Sequence, residues 1–355
     1  MLLWYWGRRG GGAQYGLSLL RAMSPNVAVS VSRQNELIEA FRTEAAPRQE
    51  VDTYSNAAGF AAGFARLPIL GRQLISFARL YGDGVVLSAM SHPWTPVLAP
   101  RLARSGIAFF PVIHDAAPHP GDTAPLFEWR LSRELAAARA AVTLSEAVAA
   151  ALERKWPQLP LIRLSLPAHL PYGVAEVSKS TEFLFFGRLR AYKGLDLLRD
   201  AWPLVRAVWP EARLRIVGSG DPDPIAPGLA ALPGVTLENR WVADSEMAQL
   251  IAAARSVVLP YREASQSGVL PLALAHGVPA IVTSVGGLAE QVTDGESGLI
   301  VPPVAKHLAD AMLRLRDVVL YTRIAQGAAA QGELLSDWTQ HARLLREGIR
   351  DVLSK

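Results

Sequence analysis

The sequence predicts an α/β protein with two parallel-sheet domains, and three observations lead to this prediction. Short apolar runs alternate with helical patterns along the chain, which is typical of parallel sheets covered by helices. The chain has 355 residues, more than a single core usually holds, so about two domains are expected. Half of the residues are apolar and 19% are charged, which is typical of a folded globular protein.

In the first half of the chain, apolar runs predict strands, and the stretches between them have helical periodicity. The strands are predicted at Leu2–Trp6, Val27–Ser32, Val85–Met90, Ala108–Ile113 and Ala140–Leu144. The helices are predicted at Gln14–Met23, Gln34–Arg42, Leu70–Leu80, Pro96–Arg104, Pro125–Ala138 and Glu146–Lys155.

The second half repeats this alternation. Its strands are predicted at Glu182–Phe186, Leu214–Val217, Val235–Glu238, Ser256–Pro260, Ala280–Thr283 and Leu299–Val301. Its helices are predicted at Leu195–Val208, Asp244–Ala254, Val269–His276 and Ala305–Ala330, with a last one at Leu335–Leu353. The stretch Pro167–Ser180 is rich in proline, glycine and serine and is typical of a linker. We therefore expect one domain over residues 1–167, a second over 168–335, and a C-terminal helix over 336–355 that packs back on the first.

Composition excludes several classes of protein. The chain has no cysteine, which excludes disulfides and thiolate metal sites and fits a reducing compartment. No apolar run reaches the roughly 18 residues that a membrane-spanning helix needs, and Met1–Trp6 is too short for a signal peptide. The net charge of +4 suits an anionic ligand or a lipid surface but is too dispersed for nucleic acid. We expect a cytoplasmic protein.

The most informative motif follows the strand predicted at Glu182–Phe186. Gly187 ends that strand, Arg188 comes next, and Lys193 stands five residues later, where a helical pattern starts. This order predicts two cations at the C-terminal end of a strand and beside a helix N-terminus, where open α/β sheets bind ligands. Such a place suits a diphosphate, and two solvated surface cations are the alternative.

A second loop of this kind follows the strand predicted at Ser256–Pro260. Ser267 and Gly268 stand where a helix begins, so bare backbone N–H groups there would approach a phosphate closely. An ordinary loop with an N-cap serine is the alternative. Gly286 and Gly287 mark another tight turn, for which turn chemistry alone is a sufficient explanation.

Taken together, these motifs resemble the retaining glycosyltransferases of family 4, in order and spacing, over about Thr181–Pro302. The resemblance implies the GT-B fold, with two Rossmann-like domains facing across a cleft, the first for the acceptor and the second for a sugar nucleotide. It implies catalytic roles at the diphosphate for Arg188 and Lys193. The donor-binding residues that it implies are Gly187, Gly218, Ser267, Gly268, Val269 and Glu290.

The N-terminal half matches the same family in two places. A glycine triplet follows the first strand, and a His-Asp pair followed by Pro-His-Pro-Gly comes after the strand predicted at Ala108–Ile113. The resemblance implies that His114 contacts the transferred sugar; a histidine at a domain interface is the alternative. The acceptor-binding residues expected in this half are Gly10, Gly11, Gly12, His92, Asp115 and His119.

The chain departs from the family in one loop. Most members carry two glutamates there, but Ala264 and Leu272 stand at those positions, and Glu263 is one residue away. A subgroup with Gln-Ser-Gly in this loop lacks the pair, so we do not interpret the loss as inactivation. It leaves recognition of the ribose unassigned, with Glu290 and Asp244 as candidates. Arg255 stands where an aspartate is frequent, and the sequence offers no reason for it.

The resemblance implies a bacterial, metal-independent, retaining hexosyltransferase that makes exopolysaccharide or another cell-surface polysaccharide. Its partners would be a nucleotide-diphosphate sugar as co-substrate and a glycan or lipid-linked acceptor, without a cofactor. By analogy with relatives that use lipid-linked acceptors, the resemblance also implies peripheral contact with the inner face of the membrane, with a solvated surface as the alternative. A sugar-nucleotide epimerase of the same fold, or a catalytically silent sugar-nucleotide-binding component of a polysaccharide assembly complex, are the alternatives. The sugar, the base, the acceptor and the oligomeric state are not predicted.

Overall fold

The computed structural model describes residues 1–120, 126–169 and 180–355, with only the backbone for Asp244 and Ser245. Its contacts divide the chain into two compact units. The first consists of Met1–Pro118, Ala124–Leu164 and Trp338–Lys355, and the second of His119–Thr123 and Ser165–Asp337. Most of the predicted linker lies outside the described residues. No helix among the described residues is long and apolar enough to cross a membrane.

The first unit contains a seven-stranded parallel sheet. Its strands are β1 (Leu2–Tyr5), β2 (Ala28–Ser32), β3 (Arg48–Val51), β4 (Val85–Ser88), β5 (Ala108–Ile113), β6 (Ala141–Thr143) and β7 (Leu161–Arg163). Their spatial order is β3-β2-β1-β4-β5-β6-β7, so the order reverses between β1 and β4. This is the Rossmann-like arrangement.

The second unit repeats the arrangement with a six-stranded parallel sheet. Its strands are β8 (Glu182–Phe186), β9 (Arg213–Gly218), β10 (Val235–Asn239), β11 (Ser256–Leu259), β12 (Ala280–Thr283) and β13 (Gly298–Val301). Their order is β10-β9-β8-β11-β12-β13, and it reverses between β8 and β11. Ligands of open α/β sheets bind at such a reversal, beyond the carboxyl ends of the strands.

Helices connect the strands of both sheets. In the first unit these are α1 (Gly11–Met23), α2 (Ile38–Thr43), α3 (Ala57–Tyr81), α4 (Thr95–Arg104), α5 (Phe127–Leu135) and α6 (Glu146–Lys155). In the second they are α7 (Leu195–Val208), α8 (Asp244–Ala253), α9 (Val269–Ala275), α10 (Ala305–Arg314) and α11 (Val318–Leu335). The last helix, α12 (Trp338–Leu353), belongs to the first unit and packs on α1.

Buried side chains hold α12 against α1. The hydroxyl of Tyr15 on α1 lies 2.9 Å from Nε2 of His341, and both residues are less than a tenth exposed. Trp338 packs edge-on against the Tyr15 ring, with the ring centroids 5.5 Å apart. Burial lowers the pKa of His341 to about 4, so its ring is neutral near pH 7. The apolar face of α12 therefore completes the core of the first unit.

Several elements differ from the sequence prediction. β3 and β7 are not predicted, because β3 is charged and only half-buried and β7 has three residues. α3 begins at Ala57 rather than Leu70, because the glycines and Pro68 in its first part mask its periodicity. The single helix predicted at Ala305–Ala330 is two helices, α10 and α11. Asp317 separates them, because its side chain accepts hydrogen bonds from two N–H groups at the start of α11.

The structure explains Arg255. This residue precedes β11 and is only 6% exposed. Its guanidinium donates from Nε to the Leu315 carbonyl at 2.9 Å, at the C-terminal end of α10, and from Nη1 to the Ser180 carbonyl at 3.2 Å. It also lies 4.0 Å from the centroid of the Tyr321 ring. Burial lowers the pKa of Arg255, and the carbonyls and the ring offset the cost of burying the charge.

Replacing Arg255 by methionine is expected to destabilise the second unit by about 2–4 kcal/mol, because it leaves two buried carbonyls without a donor. The measurement is urea unfolding followed by tryptophan fluorescence. Arg213, which is exposed at the start of β9, provides the matched control Arg213→Met. A loss for Arg255→Met no larger than that of the control would contradict this structural role.

Candidate functional site

The loops that follow β8 and β11 meet at the reversal point of the second sheet. The loop after β8 carries Arg188, a short 3-10 turn at Ala191–Lys193, and then α7. The loop after β11 leads through Ser267 to α9. Because β8 and β11 are neighbours in the sheet, their carboxyl ends bring both predicted phosphate-binding loops to one edge.

Gly194 lets these two loops approach each other. Its φ of 71° lies in the left-handed region, and a Cβ atom there would lie 1.8 Å from the carbonyl oxygen of Pro260. Only glycine fits both conditions. The backbone N–H of Arg262 also donates to the Tyr192 carbonyl at 2.8 Å, and the Arg262 side chain forms an ion pair with Asp196 on α7.

Arg188 and Lys193, the two predicted cations, lie against one aromatic residue. Nη2 of Arg188 donates to the hydroxyl of Tyr192 at 3.3 Å. Nζ of Lys193 lies 5.0 Å from the centroid of the same ring and 3.7 Å from the centroid of the Tyr261 ring. In the described part of the chain no carboxylate lies within ion-pair distance of Lys193. Aromatic faces, rather than an anionic side chain, thus attract its charge.

Tyr261 joins these cations to the second loop. Its ring is 1% exposed, with Lys193 over its face and its hydroxyl 3.4 Å from Oγ of Ser267. The backbone N–H of Ser267 donates to Oε1 of Gln291 at 2.9 Å, and Gln291 returns a bond to the Ser267 carbonyl at 3.3 Å. The backbone N–H of Ser267 was predicted to be bare, but it therefore has a side-chain partner. The sequence does not signal this role of Gln291.

The remaining predicted donor residues occupy separate positions. Gly187 and Gly218 stand at the ends of neighbouring strands, β8 and β9. Gly268 precedes α9, which begins at Val269 and has seven residues. Glu290 is exposed in a 3-10 segment at Gly286–Gln291 rather than in an α-helix. The side chain of Asp244 lies outside the described part of the structure.

The structure clarifies the positions where the family carries two glutamates. Leu272 is 1% exposed within the hydrophobic core, and Ala264 is also buried. A leucine there contributes to packing. Oε1 of Glu263 lies 3.3 Å from Nδ1 of His119, so this neighbouring carboxylate contacts a histidine.

His119, which was predicted as an acceptor residue of the first domain, is grouped by its contacts with the second unit. Its acceptor role stays a prediction. Its ring stacks on that of Tyr192 with the centroids 4.6 Å apart and the planes within 11°. His119 therefore packs beside Arg188 and Lys193.

In the first unit, the predicted residues follow β1, β4 and β5, which are neighbours around the reversal point. The glycine triplet opens α1, and a Cβ atom at Gly12 would lie 2.9 Å from Sδ of Met90, so that position has no room for a side chain. The N–H of Gly10 donates to Oε1 of Glu36 at 2.7 Å. The loop after β1 is thereby held against the segments after β2 and β4.

The two predicted histidines of this unit differ in their surroundings. Nε2 of His114 lies 3.0 Å from the Ala89 carbonyl, and because a carbonyl only accepts, this nitrogen carries the hydrogen. Burial lowers the pKa of His114, so its ring is neutral near pH 7. His92 is 3% exposed and packs against Tyr54 and Trp94, and burial lowers its pKa to about 3. The acceptor contact predicted for His92 would require its side chain to leave this core.

A cavity of about 200 Å³ lies beside His114 and Asp115. Glu134 on α5 lines it, although no sequence motif indicated a function at this position. This side chain is 1% exposed, and its Oε1 accepts from Oγ of Ser91 at 2.6 Å. Burial raises the pKa of Glu134 to about 7, and the Ser91 hydroxyl and the charge of Arg130 oppose that rise.

The raised pKa of Glu134 predicts a pH-dependent stability. The folded chain keeps a proton that the unfolded chain releases at lower pH, so the free energy of unfolding falls as pH rises between about 4.5 and about 7. A pKa shift of this size corresponds to about 3 kcal/mol in the free energy of unfolding. As pH rises from 4.5 to 8, the free energy of unfolding of Glu134→Gln is therefore expected to increase relative to that of the natural chain by up to about this amount. Urea unfolding measures this difference.

Glu128, exposed on the same helix and paired with Lys155, provides the control Glu128→Gln. That variant should show no such gain. If the free energies of unfolding of Glu134→Gln and the natural chain differ by the same amount at every pH, the assigned protonation is wrong.

Comparison with known protein families identifies a match in the second unit. Residues 180–317 match the family described as Glycosyl transferases group 1, which is less than half of the chain. Over 180 residues the chain is 34% identical to the D-inositol 3-phosphate glycosyltransferase of Nocardioides sp., covering 45% of this chain and 39% of that protein. It is 30% identical to the mannosylfructose-phosphate synthase of Agrobacterium fabrum over 175 residues, 46% of this chain and 38% of that protein. The matches thus span well under half of these relatives.

Solved structures match over almost the whole chain. The Anabaena protein HepE in complex with UDP and glucose has a TM-score of 0.75 at 16% identity, covering 98% of each chain. The sucrose-phosphate synthase of Thermosynechococcus elongatus has a TM-score of 0.74 at 19% identity, covering 99% of this chain and 98% of that one. At these identities the likeness shows the fold. The predicted class, α/β with two Rossmann-like domains of the GT-B type, is confirmed.

Proposed function

We propose that the chain is a glycosyltransferase that moves a hexosyl group from a nucleotide-diphosphate sugar to a glycan or lipid-linked acceptor. The observation that carries this proposal is the pair Arg188 and Lys193, which meet on Tyr192 at the reversal point of the second sheet. Two cations beside a helix N-terminus suit a diphosphate. The match to Glycosyl transferases group 1 includes both cations and supports this assignment.

Arg188 and Lys193 would act on the leaving group. As the sugar separates, the nucleotide diphosphate gains negative charge, and cations already in place lower the barrier electrostatically. Gly187, Gly218, Gly268 and Val269 would let the backbone approach the donor. Glu290 stays a prediction for the ribose, because Leu272 is buried and Glu263 contacts His119.

His114 would contact the transferred sugar as a neutral ring. Its Nε2–H is held by the Ala89 carbonyl, which fixes the orientation of the imidazole. We assign no general base to the protein, because in a retaining transfer the departing phosphate can take the proton of the acceptor hydroxyl. Retention, independence of metal ions, a role in exopolysaccharide synthesis and contact with a lipid surface stay predictions.

The nucleotide is proposed by analogy. HepE binds UDP and glucose in one solved complex and UDP-glucose in another, and it has this fold over almost the entire chain. Uridine-diphosphate sugars are therefore the first donors to test. The names of the matched curated proteins point to different acceptors, inositol 3-phosphate in one and glycogen in another, and the matches cover less than half of each of those proteins.

The test is release of nucleoside diphosphate from a panel of sugar nucleotides, with and without lipid-linked or free sugar acceptors. The proposal expects release that depends on an acceptor and yields a glycosylated product. Isomerised donor without acceptor would instead indicate an epimerase. Donor binding with no turnover would indicate a catalytically silent component, which the absence of the glutamate pair at Ala264 and Leu272 makes worth testing.

A further inference from the structure

The two neighbouring helices α3 and α4 carry positive charge without any negative charge. Neither helix contains an aspartate or a glutamate, although α3 has 25 residues and α4 has ten. Their charged residues are all arginines, namely Arg66, Arg72, Arg79, Arg101 and Arg104. The chain as a whole has a net charge of only +4, so these helices concentrate the excess.

Three of these arginines line one groove between the two helices. The groove has a volume of about 440 Å³, and Arg72, Arg101 and Arg104 line it with no carboxylate among the residues of its wall. The side chain of Arg101 lies along α3 at Gly71, where a Cβ atom would be 3.7 Å from its Cδ. The groove thus brings cations from two helices to one place within the first unit.

The arginines of the groove have no anionic partner in the protein. Within the residues that the structure describes, no carboxylate lies within ion-pair distance of these three side chains. By contrast, Arg42 and Arg48 in the same unit share the carboxylate of Glu50. Guanidinium groups that line one groove repel one another, so an anion that enters it is attracted by all three.

The groove is separate from the predicted acceptor residues of this unit. Helix α4 begins after β4 and ends before β5, so its last turn, with Arg101 and Arg104, lies at the amino edge of the sheet. His114 follows β5 at the carboxyl edge, and the six residues of β5 separate the two edges by roughly 20 Å. A ligand in the groove is therefore not the group that receives the sugar.

An apolar strip on α3 continues the groove. Phe64, Pro68, Arg72 and Ile75 are three or four residues apart, so they lie on one face of the helix. Pro68 and Ile75 line the groove, and Phe64 is 45% exposed. Exposed apolar side chains beside unpaired cations suit an anionic group that is attached to an apolar chain.

We propose that this groove binds a phosphate group, which Arg72, Arg101 and Arg104 hold by charge-assisted hydrogen bonds. The planar donors of a guanidinium match two phosphate oxygens at once, which makes arginine well suited to this ligand. The phosphate belongs either to a lipid headgroup or to a free phosphorylated compound, and the apolar strip favours the headgroup. Binding here does not depend on the proposed function, because neither donor nor acceptor takes part.

A purely structural role accounts for only part of these observations. Arginines in the last turn of a helix interact favourably with its dipole, which would explain Arg101 and Arg104. Arg79 also donates to the Ser105 carbonyl at 2.8 Å, just beyond that turn. However, Arg72 stands well inside α3, where the dipole gives no reason for a cation.

The test uses two phosphate probes in the absence of any sugar nucleotide. Vesicles of phosphatidylcholine and phosphatidylglycerol in equal parts present anionic lipid phosphate, and vesicles of phosphatidylcholine alone are the reference. Inorganic pyrophosphate is the free probe. It is titrated by calorimetry into a chain that carries Arg188→Ala and Lys193→Ala, so that the proposed donor site does not contribute. We expect the anionic vesicles, pyrophosphate or both to bind.

Arg72→Gln combined with Arg104→Gln should weaken this binding about tenfold or more, because each cation near an anionic lipid surface contributes about fivefold. Arg154→Gln combined with Arg323→Gln is the matched control, since it removes the same charge. Arg154 is exposed in the last turn of α6, and Arg323 is exposed within α11. The control should bind like the chain with an intact groove, and thermal unfolding shows whether each variant is folded.

The two probes distinguish the sources of the phosphate. Binding of the anionic vesicles without pyrophosphate identifies a lipid headgroup, and the reverse identifies a free compound. The proposal is overturned if pyrophosphate does not bind and phosphatidylglycerol does not strengthen vesicle binding, or if the folded groove variant binds like the control. Sugar-nucleotide turnover with a free sugar acceptor should be equal in both double variants, which separates this test from that of the proposed function.

Discussion

Replacing Arg188 and Lys193 together by alanine is expected to abolish release of nucleoside diphosphate from the best donor. Each cation would stabilise charge that develops on the leaving group, and loss of one such contact typically costs about a hundred- to a thousandfold in rate. Because both cations would act on the same leaving group, their effects need not multiply. The rate of the double variant should fall at least as far as that of the more impaired single variant. Initial rates at saturating acceptor measure this effect.

The fold offers matched controls for this experiment. Arg213 is paired in register with Glu182 at the opposite end of the same sheet, so Arg213→Ala removes a cation of the same unit without touching the site. Lys306 is exposed on α10, so Lys306→Ala is the corresponding control for Lys193→Ala. Arg188→Lys keeps the charge but loses the planar pair of donors, so its rate of release should fall between those of the natural chain and Arg188→Ala. Undiminished release by the double variant would remove the basis of the proposed site.

Gly194→Ala is expected to lower the free energy of unfolding by about 3 kcal/mol or more. A Cβ atom there would lie 1.8 Å from the Pro260 carbonyl oxygen, so the loop after β8 would have to separate from the end of β11. The left-handed φ adds about 1 kcal/mol for a side chain. Because the same movement displaces Lys193 from Tyr261, donor turnover should fall along with the free energy of unfolding in urea.

Gly228 separates these two contributions. Its φ of 78° is similar, but a Cβ atom there would have no neighbour within 4 Å. Gly228→Ala should therefore cost only the conformational part, about 1 kcal/mol. If Gly194→Ala and Gly228→Ala lower the free energy of unfolding equally, the close approach to Pro260 does not contribute to the loss of stability.

The features predicted best from sequence are those that depend on neighbouring residues along the chain. A β-prone run that stops at Gly187, followed by Arg188, places a cation at a strand end whatever the rest of the fold is. The alternation of such runs likewise predicts parallel layers, and both sheets have that form. The sheet order, which brings the ends of β8 and β11 together, is that of the Rossmann-like domains that the resemblance implies.

The features that sequence reasoning missed depend on contacts between distant segments. The stacking of His119 on Tyr192 joins residues that are far apart in sequence, as does the hydrogen bond of Ser91 with Glu134. In the sequence, Glu134 resembles a surface residue of a short helix, and only burial distinguishes it. Gln291, which holds the Ser267 amide, gives no local signal for the same reason.

The return of α12 to the first unit has a consequence for how the protein is made. Its apolar face, with His341, Ala342, Leu345 and Ile349, is buried, yet these residues leave the ribosome after all of the second unit. During synthesis, the hydroxyl of Tyr15 therefore has no hydrogen-bond partner on α12 until His341, some three hundred residues later, has been translated. The domain that is translated first is thus the one whose core is completed last, contrary to the usual N-terminal-first order of domain folding.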